Sequence, residues 1–488
     1  MKIAISYPPL ESEKGIPLLG QNRQFQWFNN PTYIYPVIPA YTASLLKING
    51  YEVFWDDAIA EEMSYESWLE RLISEKPDLV MIETKTPVVK RHWKIVDDLK
   101  KKCNWDIKIA MVGDHVSYDP VESLKKCKVD YCLKGGDYDF GMLSLANHLS
   151  KKTDLESGWY FRVGNNIVNN GEIQNYHLHP LDKLPMIDRE LTRWKLYAYK
   201  NGNFKFTPGT YMMSGRDCWW GRCTFCSWTT IFPGKNFRVR SAKLALDEIG
   251  HLIDLGVKEI MEDSGTLPIG KWLEEFCDGM IFRGYNEKVV MSCNMRINGI
   301  TDLKIWKKMK LAGFRFILFG LESGNQKTLD RINKNLKVEE IEPNLKLCKE
   351  AGLEPHITTM IGYPWETKED AQSTINLAKR LFDKGYVDTL QATVLIPYPG
   401  TPLYSECKKE NLLNFEDYDR FDQREQVMKS VLSTEDVKEL TSQLYKSFIT
   451  PKFIMRKVLS IRKWDDVKFL VRAGFKVIGH LVDFGKGK

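Results

Sequence analysis

Nowhere among its 488 residues does the chain hold the roughly 20 consecutive apolar residues needed to cross a bilayer. Its first residues, Met1-Lys2-Ile3-Ala4-Ile5-Ser6-Tyr7-Pro8-Pro9, lack the apolar run of a secretory signal and read instead as a short strand that turns at proline. These absences predict a cytoplasmic protein. Low-complexity tracts and short-period repeats are missing as well, which excludes a solenoid. No recognisable nucleic-acid module accompanies the net charge of +6, so no nucleic-acid partner is expected. No G-x-G-x-x-G follows the first strand pattern, which disfavours a dinucleotide cofactor. What remains is a globular composition, 43% hydrophobic and 27% charged, in a chain too long for a single core.

Charge is concentrated at one end. From Pro451 to Lys488 there are ten Lys and Arg against three Asp, so the preceding 450 residues are close to neutral. Phe453, Ile454, Leu459, Trp464, Phe469, Leu470, Phe475 and Ile478 are interleaved with those cations. The pattern predicts amphipathic helix, either closing the fold with a solvated basic face or touching an anionic membrane surface or lipid substrate.

Residues 1–150 alternate strand and helix patterns. Strands are expected at Lys2–Tyr7, Tyr51–Trp55, Leu79–Thr84, Ile107–Val112 and Val129–Leu133, with a helix from Val37 to Ile48 ended by Asn49-Gly50. Strands joined by helical crossovers imply a doubly wound, Rossmann-like parallel sheet, whose ligands sit beyond the strands' carboxyl ends. Residues 151–207 read as a linker with a hairpin turn at Asn165, Asn166, Asn169, Asn170 and Gly171. Within it His177 and His179 are read as linker surface, a metal pair being the alternative. Residues 208–400 start a second α/β series, with strands at Thr210–Ser214, Lys258–Glu262, Val289–Asn294, Phe316–Leu321, His356–Ile361 and Thr389–Ile396. Six such units make a partial (β/α)6 TIM-type barrel, and residues 401–488 form a helical, basic C-terminal region.

Ten cysteines in a reducing compartment point to thiol or metal chemistry at some and plain burial at others. Cys103, Cys127, Cys132, Cys277, Cys293, Cys348 and Cys407 are scattered singly and read as core residues. Cys218, Cys223 and Cys226 fall within nine residues, in Asp217-Cys218-Trp219-Trp220-Gly221-Arg222-Cys223-Thr224-Phe225-Cys226. No fourth ligand follows closely, the next histidine being His251 and the next cysteine Cys277. A structural zinc site closes with four ligands, and ordinary iron–sulfur carriers use four cysteines. Three thiolates leave one position open.

Further blocks lie at the predicted strand ends: Met261-Glu262-Asp263-Ser264-Gly265-Thr266, Ser292-Cys293-Asn294-Met295-Arg296, Gly320-Leu321-Glu322-Ser323-Gly324-Asn325, Ile361-Gly362-Tyr363-Pro364-Trp365-Glu366-Thr367 and Pro397-Tyr398-Pro399-Gly400-Thr401-Pro402-Leu403. In a barrel that side carries the site. Together with the cysteines they resemble the radical S-adenosylmethionine (SAM) superfamily, and specifically its branch with an N-terminal cobalamin-binding domain. The usual spacing is C-x-x-x-C-x-aromatic-C; Cys223, Thr224, Phe225 and Cys226 match its second half, while four residues separate Cys218 from Cys223. Gly221 is the residue suited to absorb the extra position.

The resemblance implies that Cys218, Cys223 and Cys226 ligate a [4Fe–4S] cluster with SAM on its open iron. It places Phe225, Glu262, Asp263, Ser264, Ser292, Asn294, Arg296, Glu322 and Ser323 around SAM. Pro39-Ala40-Tyr41-Thr42-Ala43-Ser44-Leu45-Leu46 and Gly50-Tyr51-Glu52-Val53 resemble the cobalamin-binding fold, although the D-x-H-x-x-G signature is absent. Thr84, Lys85, Thr86, Gly113, Asp114, His115, Gly135 and Gly136 are the candidate cobalamin contacts at the strand ends. The implied reaction is reductive SAM cleavage to a 5′-deoxyadenosyl radical and methyl transfer to an unactivated carbon of a small-molecule or lipid-like substrate. An external donor such as flavodoxin or ferredoxin would supply the electron. The alternatives are a cobalamin-associated oxidative cyclase or rearrangement enzyme, or a non-catalytic zinc-stabilised binding protein. Trp219 and Trp220, beside the cysteines, are expected to shape the substrate pocket.

Overall fold

The computed structural model describes residues 1–18, 25–29, 31–172, 176–202, 204–233 and 236–459, with single positions beyond. Arg462, Lys463, Trp464, Lys468, Phe469, Leu470, Arg472, Phe475, Lys476, Ile478, Lys486 and Lys488, on which the amphipathic-tail expectation partly rests, lie outside the described residues.

The N-terminal half is a seven-stranded sheet. Its strands are β1 (Lys2–Tyr7), β2 (Glu52–Asp57), β3 (Leu79–Thr84), β4 (Lys108–Gly113), β5 (Tyr131–Leu133), β6 (Trp159–Val163) and β7 (Asn166–Asn169), in the order β2-β1-β3-β4-β5-β6-β7. β2 through β5 are parallel, whereas β6 and β7 add an antiparallel hairpin. β1 and β3 are buried on both faces, as their unbroken apolar runs require of central parallel strands. Helix α1 spans Val37–Ile48, as its pattern predicts, and Gly50 follows with φ +86°. Strand order reverses between β1 and β3, so the crevice for a ligand opens at their carboxyl ends. The segment leaving β1 there supplies Leu18, Gln26, Phe28, Thr32 and Ile34 to the cavity described below.

The second half is a six-stranded, wholly parallel sheet in sequential order. Its strands are β8 (Gly209–Met212), β9 (Glu259–Glu262), β10 (Val290–Met295), β11 (Phe314–Glu322), β12 (Glu354–Ile361) and β13 (Thr389–Val394). Helices α2 (Ala242–Asp254), α3 (Lys271–Phe282), α4 (Leu303–Leu311), α5 (Val338–Glu350) and α6 (Lys368–Lys384) cross over between them. β8 and β13 do not pair, so the barrel stays open along one side. Side chains occupy those edges: Arg189 Nη2 donates to Tyr211 O (3.0 Å), and the Tyr445 hydroxyl donates to Ala392 O (2.9 Å). Tyr445 lies on α7 (Thr434–Phe448), which starts with a capping box between Ser433 and Asp436. One apolar core runs through both sheets.

Two buried charge networks join the halves. Glu248 on α2 accepts from Arg189 (2.9 Å), Arg240 (2.6 Å) and the Tyr41 hydroxyl of α1 (3.0 Å). Asp137 and Asp139, in the N-terminal half, hold Arg216 and Arg238 of the barrel half. At the C-terminus, helix Pro451–Leu459 rests Phe453 on Phe382 (5.6 Å) and pairs Lys457 with Asp388 (2.8 Å). Its Ile454, Met455, Val458 and Leu459 are exposed.

Candidate active site

The loop after β8 is built by its anchors. Gly215–Arg216 pairs antiparallel with Arg238–Val239, and Arg216 is buried with Nη2 on Asp139 (2.7 Å) and Nη1 between Asp139 (2.9 Å) and Asp137 (3.0 Å). These anions raise the Arg216 pKa against the downward pull of burial. Cys218 begins two residues later. Gly221 adopts φ +54°, a left-handed turn that absorbs the extra residue between Cys218 and Cys223. Gly265 lets the β9 loop close on this one: a Cβ there would stand 2.8 Å from the Cys218 Cβ and from Asp217 O. Beyond the turn, Thr224 N donates to Ile332 O (3.0 Å) and accepts Leu403 N at its carbonyl (2.9 Å), tying the loop to two later elements.

Trp219 and Trp220 take a different role from the one expected. Neither lines the cavity. They stack on Arg296, whose guanidinium carbon lies 5.4 Å from one ring and 4.9 Å from the other. Trp220 Nε1 also donates to Asn333 O (2.8 Å), and Arg296 Nη2 donates to the carbonyls of Lys334 and Asn335. The two rings thus hold one guanidinium, because a planar cation is well placed against π faces in a site that excludes water. Burial lowers the Arg296 pKa, and the neighbouring Cys223 and Cys218 act against that shift.

All three half-buried thiols, Cys218, Cys223 and Cys226, border one cavity of about 380 Å³. Burial pushes the Cys223 thiol up, while Lys334 and Arg296 pull it the other way and so favour its thiolate. Among the described residues no three His, Cys, Asp or Glu side chains group as ligands of a single metal ion. A polynuclear cluster, whose irons are separate atoms, spreads its thiolates more widely than one zinc ion does. The donor set therefore suits such a cluster: three soft ligands, two nearby cations to balance their charge, and an open corner.

Phe225, Asp263, Asn294, Arg296 and Glu322 line the same cavity. Asn294 Nδ2 donates to Asp263 Oδ1 and to Ser264 O, both at 3.1 Å. Glu322 sits at a break in the β11–β12 register with φ +64°, a strained backbone for a residue with a Cβ. That turn sends its carboxylate to Lys334 Nζ, 2.7 Å away. Lys334 also faces the cavity and follows no strand directly, so alternation along strands gives no signal for it.

Four other residues expected around SAM sit behind the wall. Glu262 is fully buried and accepts from Ser214 N (2.6 Å) and from the Ser264 hydroxyl. Its burial raises the carboxyl to about 7. Ser264 in turn accepts from Gly215 N (2.7 Å), and Ser323 accepts from Asn325 N (3.1 Å). Ser292 donates to Glu259 (2.9 Å) in the barrel floor. These four hold loops and floor in place.

The strand-end set of the first sheet lies outside the cavity. The Thr84 hydroxyl meets His92 Nδ1 (2.7 Å), Lys85 faces Asp114 (3.7 Å), and Thr86 meets His115 Nδ1 (3.2 Å). The other ring nitrogen of His115 lies 3.4 Å from Glu122, and Tyr418 packs on its ring (4.8 Å). Gly113 abuts Thr84, Ser117 bonds both Gly113 O (2.7 Å) and Gly135 N (3.0 Å), and Gly136 abuts Ile231 and Phe232. The protein's own side chains occupy that edge.

Residues 212–378 match the radical SAM superfamily. A radical SAM domain thus covers the three cysteines and most of the partial barrel. The chain is 26% identical over 432 residues to an uncharacterized methyltransferase of Pyrococcus horikoshii, covering 87% of this chain and 90% of that one. It is also 26% identical over 400 residues to the anaerobic magnesium-protoporphyrin IX monomethyl ester cyclase of Rubrivivax gelatinosus, covering 78% and 68%. Among solved structures, OxsB, a cobalamin-dependent S-adenosylmethionine radical enzyme with aqua-cobalamin and S-adenosylmethionine bound, superposes with a TM-score of 0.69 at 16% identity, covering 98% of this chain and 71% of that one. The match in fold spans both the first sheet and the partial barrel of this chain. No described helix is long and apolar enough to cross a membrane.

Proposed function

We propose that this radical SAM enzyme transfers a methyl group to an unactivated carbon of an apolar or lipid-like small molecule, with a corrinoid between the first sheet and the barrel. The observation that carries the reading is a shared cavity: Cys218, Cys223 and Cys226 form one wall, and Leu18, Gln26, Phe28, Thr32 and Ile34 from the reversal point of the first sheet form another. When bound, the cluster and SAM together supply reductive S–C5′ cleavage, and the corrinoid supplies the methyl donor.

The residues present suit these groups. Three thiols accept the cluster, and the mixed charges beside them suit a zwitterion. Arg296 and Lys334 complement the SAM carboxylate, Asp263 and Glu322 its ammonium, and Phe225 offers a ring for the adenine. Among the described residues the wall from the first sheet carries no imidazole or thiolate, in keeping with the missing D-x-H-x-x-G. A corrinoid there would be held through its periphery by Leu18, Gln26, Phe28, Thr32 and Ile34. The protein's part is to position the reacting carbon and keep water out. Flavodoxin or ferredoxin is the class of donor that supplies the electron from outside.

The test is anaerobic reconstitution with iron and sulfide, then incubation with methyl-labelled SAM, cobalamin and a metabolite extract. Labelled product with S-adenosylhomocysteine supports methyl transfer. 5′-Deoxyadenosine without S-adenosylhomocysteine supports radical ring closure instead, the reading favoured by the similarity to the Rubrivivax gelatinosus cyclase. Bound zinc with no cluster absorbance refutes both.

A membrane-peripheral location is supported by helix Pro451–Leu459, which exposes Ile454, Met455 and Val458 beside the basic tail. Flotation with vesicles containing anionic lipid should carry the full chain upward, and Met455→Ser with Val458→Ser should leave it at the bottom; equal flotation of both refutes the contact.

A further inference from the structure

The barrel lumen is hollow where barrels are ordinarily filled by layers of side chains. The cavity that starts at the cysteines continues down between β11, β12 and β13 to Phe316, His356 and Thr389, near the amino-terminal ends of those strands. Strand alternation puts Leu318, Thr358 and Gln391 in the layer above, all part-accessible while their flanking neighbours are buried. Beneath lies a charged floor in which Arg315 bridges Glu259 and Glu354 (2.6 Å to the latter).

His356 is the polar group of that depth. Its Nδ1 meets the Thr389 hydroxyl at 2.8 Å, its ring packs against Phe316 at 5.3 Å, and Nε2 bonds no group among the described residues. Burial lowers its pKa to about 4, so the ring is neutral at physiological pH. Among the described residues the cavity's cations, Arg222, Arg296 and Lys334, belong to the cysteine end, and those of the floor already pair with carboxylates. An anion brought to His356 would lose its hydration with no charge to replace it. A carbonyl, amide or hydroxyl would gain hydrogen bonds from the imidazole, Thr358 and Gln391 at little desolvation penalty.

We propose that His356, with Thr358 and Gln391, is the specificity-determining group of this site, and that it reads an uncharged hydrogen-bonding head on a substrate whose apolar body lies against Leu318 and Met360. The inference rests on the radical SAM reading only for where the chemistry occurs.

Octanamide and octanoate serve as matched probes, titrated into the reconstituted full chain at pH 7.5 and followed by saturation-transfer NMR. Octanamide binds, and octanoate binds about tenfold more weakly or worse. His356→Leu weakens octanamide about tenfold, while His356→Gln, which keeps a donor and an acceptor, stays within about threefold of the parent. SAM affinity is the same in all three proteins, which also shows that the variants fold. Equal binding of the two probes, no binding of octanamide, or an unchanged His356→Leu variant overturns the proposal. A fall in SAM affinity in His356→Leu overturns it as well, because the ring then belongs to the SAM site. Absence of SAM cleavage in the parent protein, with probe discrimination intact, sinks the radical SAM chemistry and leaves the head-group reading standing.

Discussion

Arg216 is the most exacting point at which to test how the two halves cooperate. Its guanidinium is 1% exposed and held by two carboxylates from the first half, doubly by Asp139 (2.9 and 2.7 Å) and singly by Asp137 (3.0 Å). Arg238 and His179 also bond Asp137, at 2.8 Å each, so Asp137 keeps charge partners if Arg216 is removed. Among the described residues no other cation bonds Asp139. Arg216→Met therefore strands a fully buried carboxylate and should destabilise by about 3–5 kcal/mol. Asp139→Leu leaves Arg216 with Asp137 and should lose about 2 kcal/mol. The double variant removes the strained charge with its partner, so the effects should fall short of additivity by about 2 kcal/mol or more. Urea unfolding followed by tryptophan fluorescence measures the cycle. Because Arg216 lies two residues before Cys218, iron retained after anaerobic reconstitution should fall in Arg216→Met and recover in part in the double variant. Additivity within about 0.5 kcal/mol, or full iron in every variant, refutes the idea that the first half braces the cysteine loop.

His179 offers a pH-dependent counterpart. Burial pushes its pKa down, but the hydrogen bonds to Asp137 and Glu156 more than offset this and raise it to about 9. A raised folded-state pKa gives stability that is complete below about pH 6.5 and lost as pH climbs through about 9, on the order of 3 kcal/mol. His179→Gln should flatten urea midpoints across that window; a parent protein equally stable at pH 6 and pH 9.5 rules the linkage out. Trp219→Ala and Trp220→Ala should each loosen Arg296 and weaken SAM binding about three- to tenfold, as expected for a desolvated cation–π contact. Should isothermal titration give parental SAM affinity while the product spectrum changes, the tryptophans act on substrate after all.

Much of the architecture could be read from period and punctuation. Lys2–Tyr7, Leu79–Thr84 and the helix Val37–Ile48 lie where apolar spacing and turn residues put them, because buried parallel strands and amphipathic helices leave strong one-dimensional patterns. Edges of elements were less legible: β11 starts at Phe314, before the expected Phe316, since Arg315 hides its strand character by pairing in the floor. At the site, Asp263, Asn294, Arg296 and Glu322 were legible because strand ends carry a barrel's chemistry. Glu262 shares that address yet turns to Ser214, one residue of strand phase away from Asp263, and Ser292, in phase with Asn294, lies one layer deeper on Glu259.

By itself, the sequence determined the cysteine triplet, its open coordination position and the succession of β/α units, since all of these are local in the chain. Only the tertiary structure decided what that triplet meets. Lys334 lies 108 residues beyond Cys226 in the numbering, and His356 is farther still, yet both face the cavity that the cysteines border. It also decided that Trp219 and Trp220 clasp Arg296, and that Asp139 braces Arg216 from the helix Tyr138–Lys151 of the N-terminal half. Contacts across such separations depend on how layers pack and where a barrel is left unfilled, and neither leaves a periodic mark in the chain.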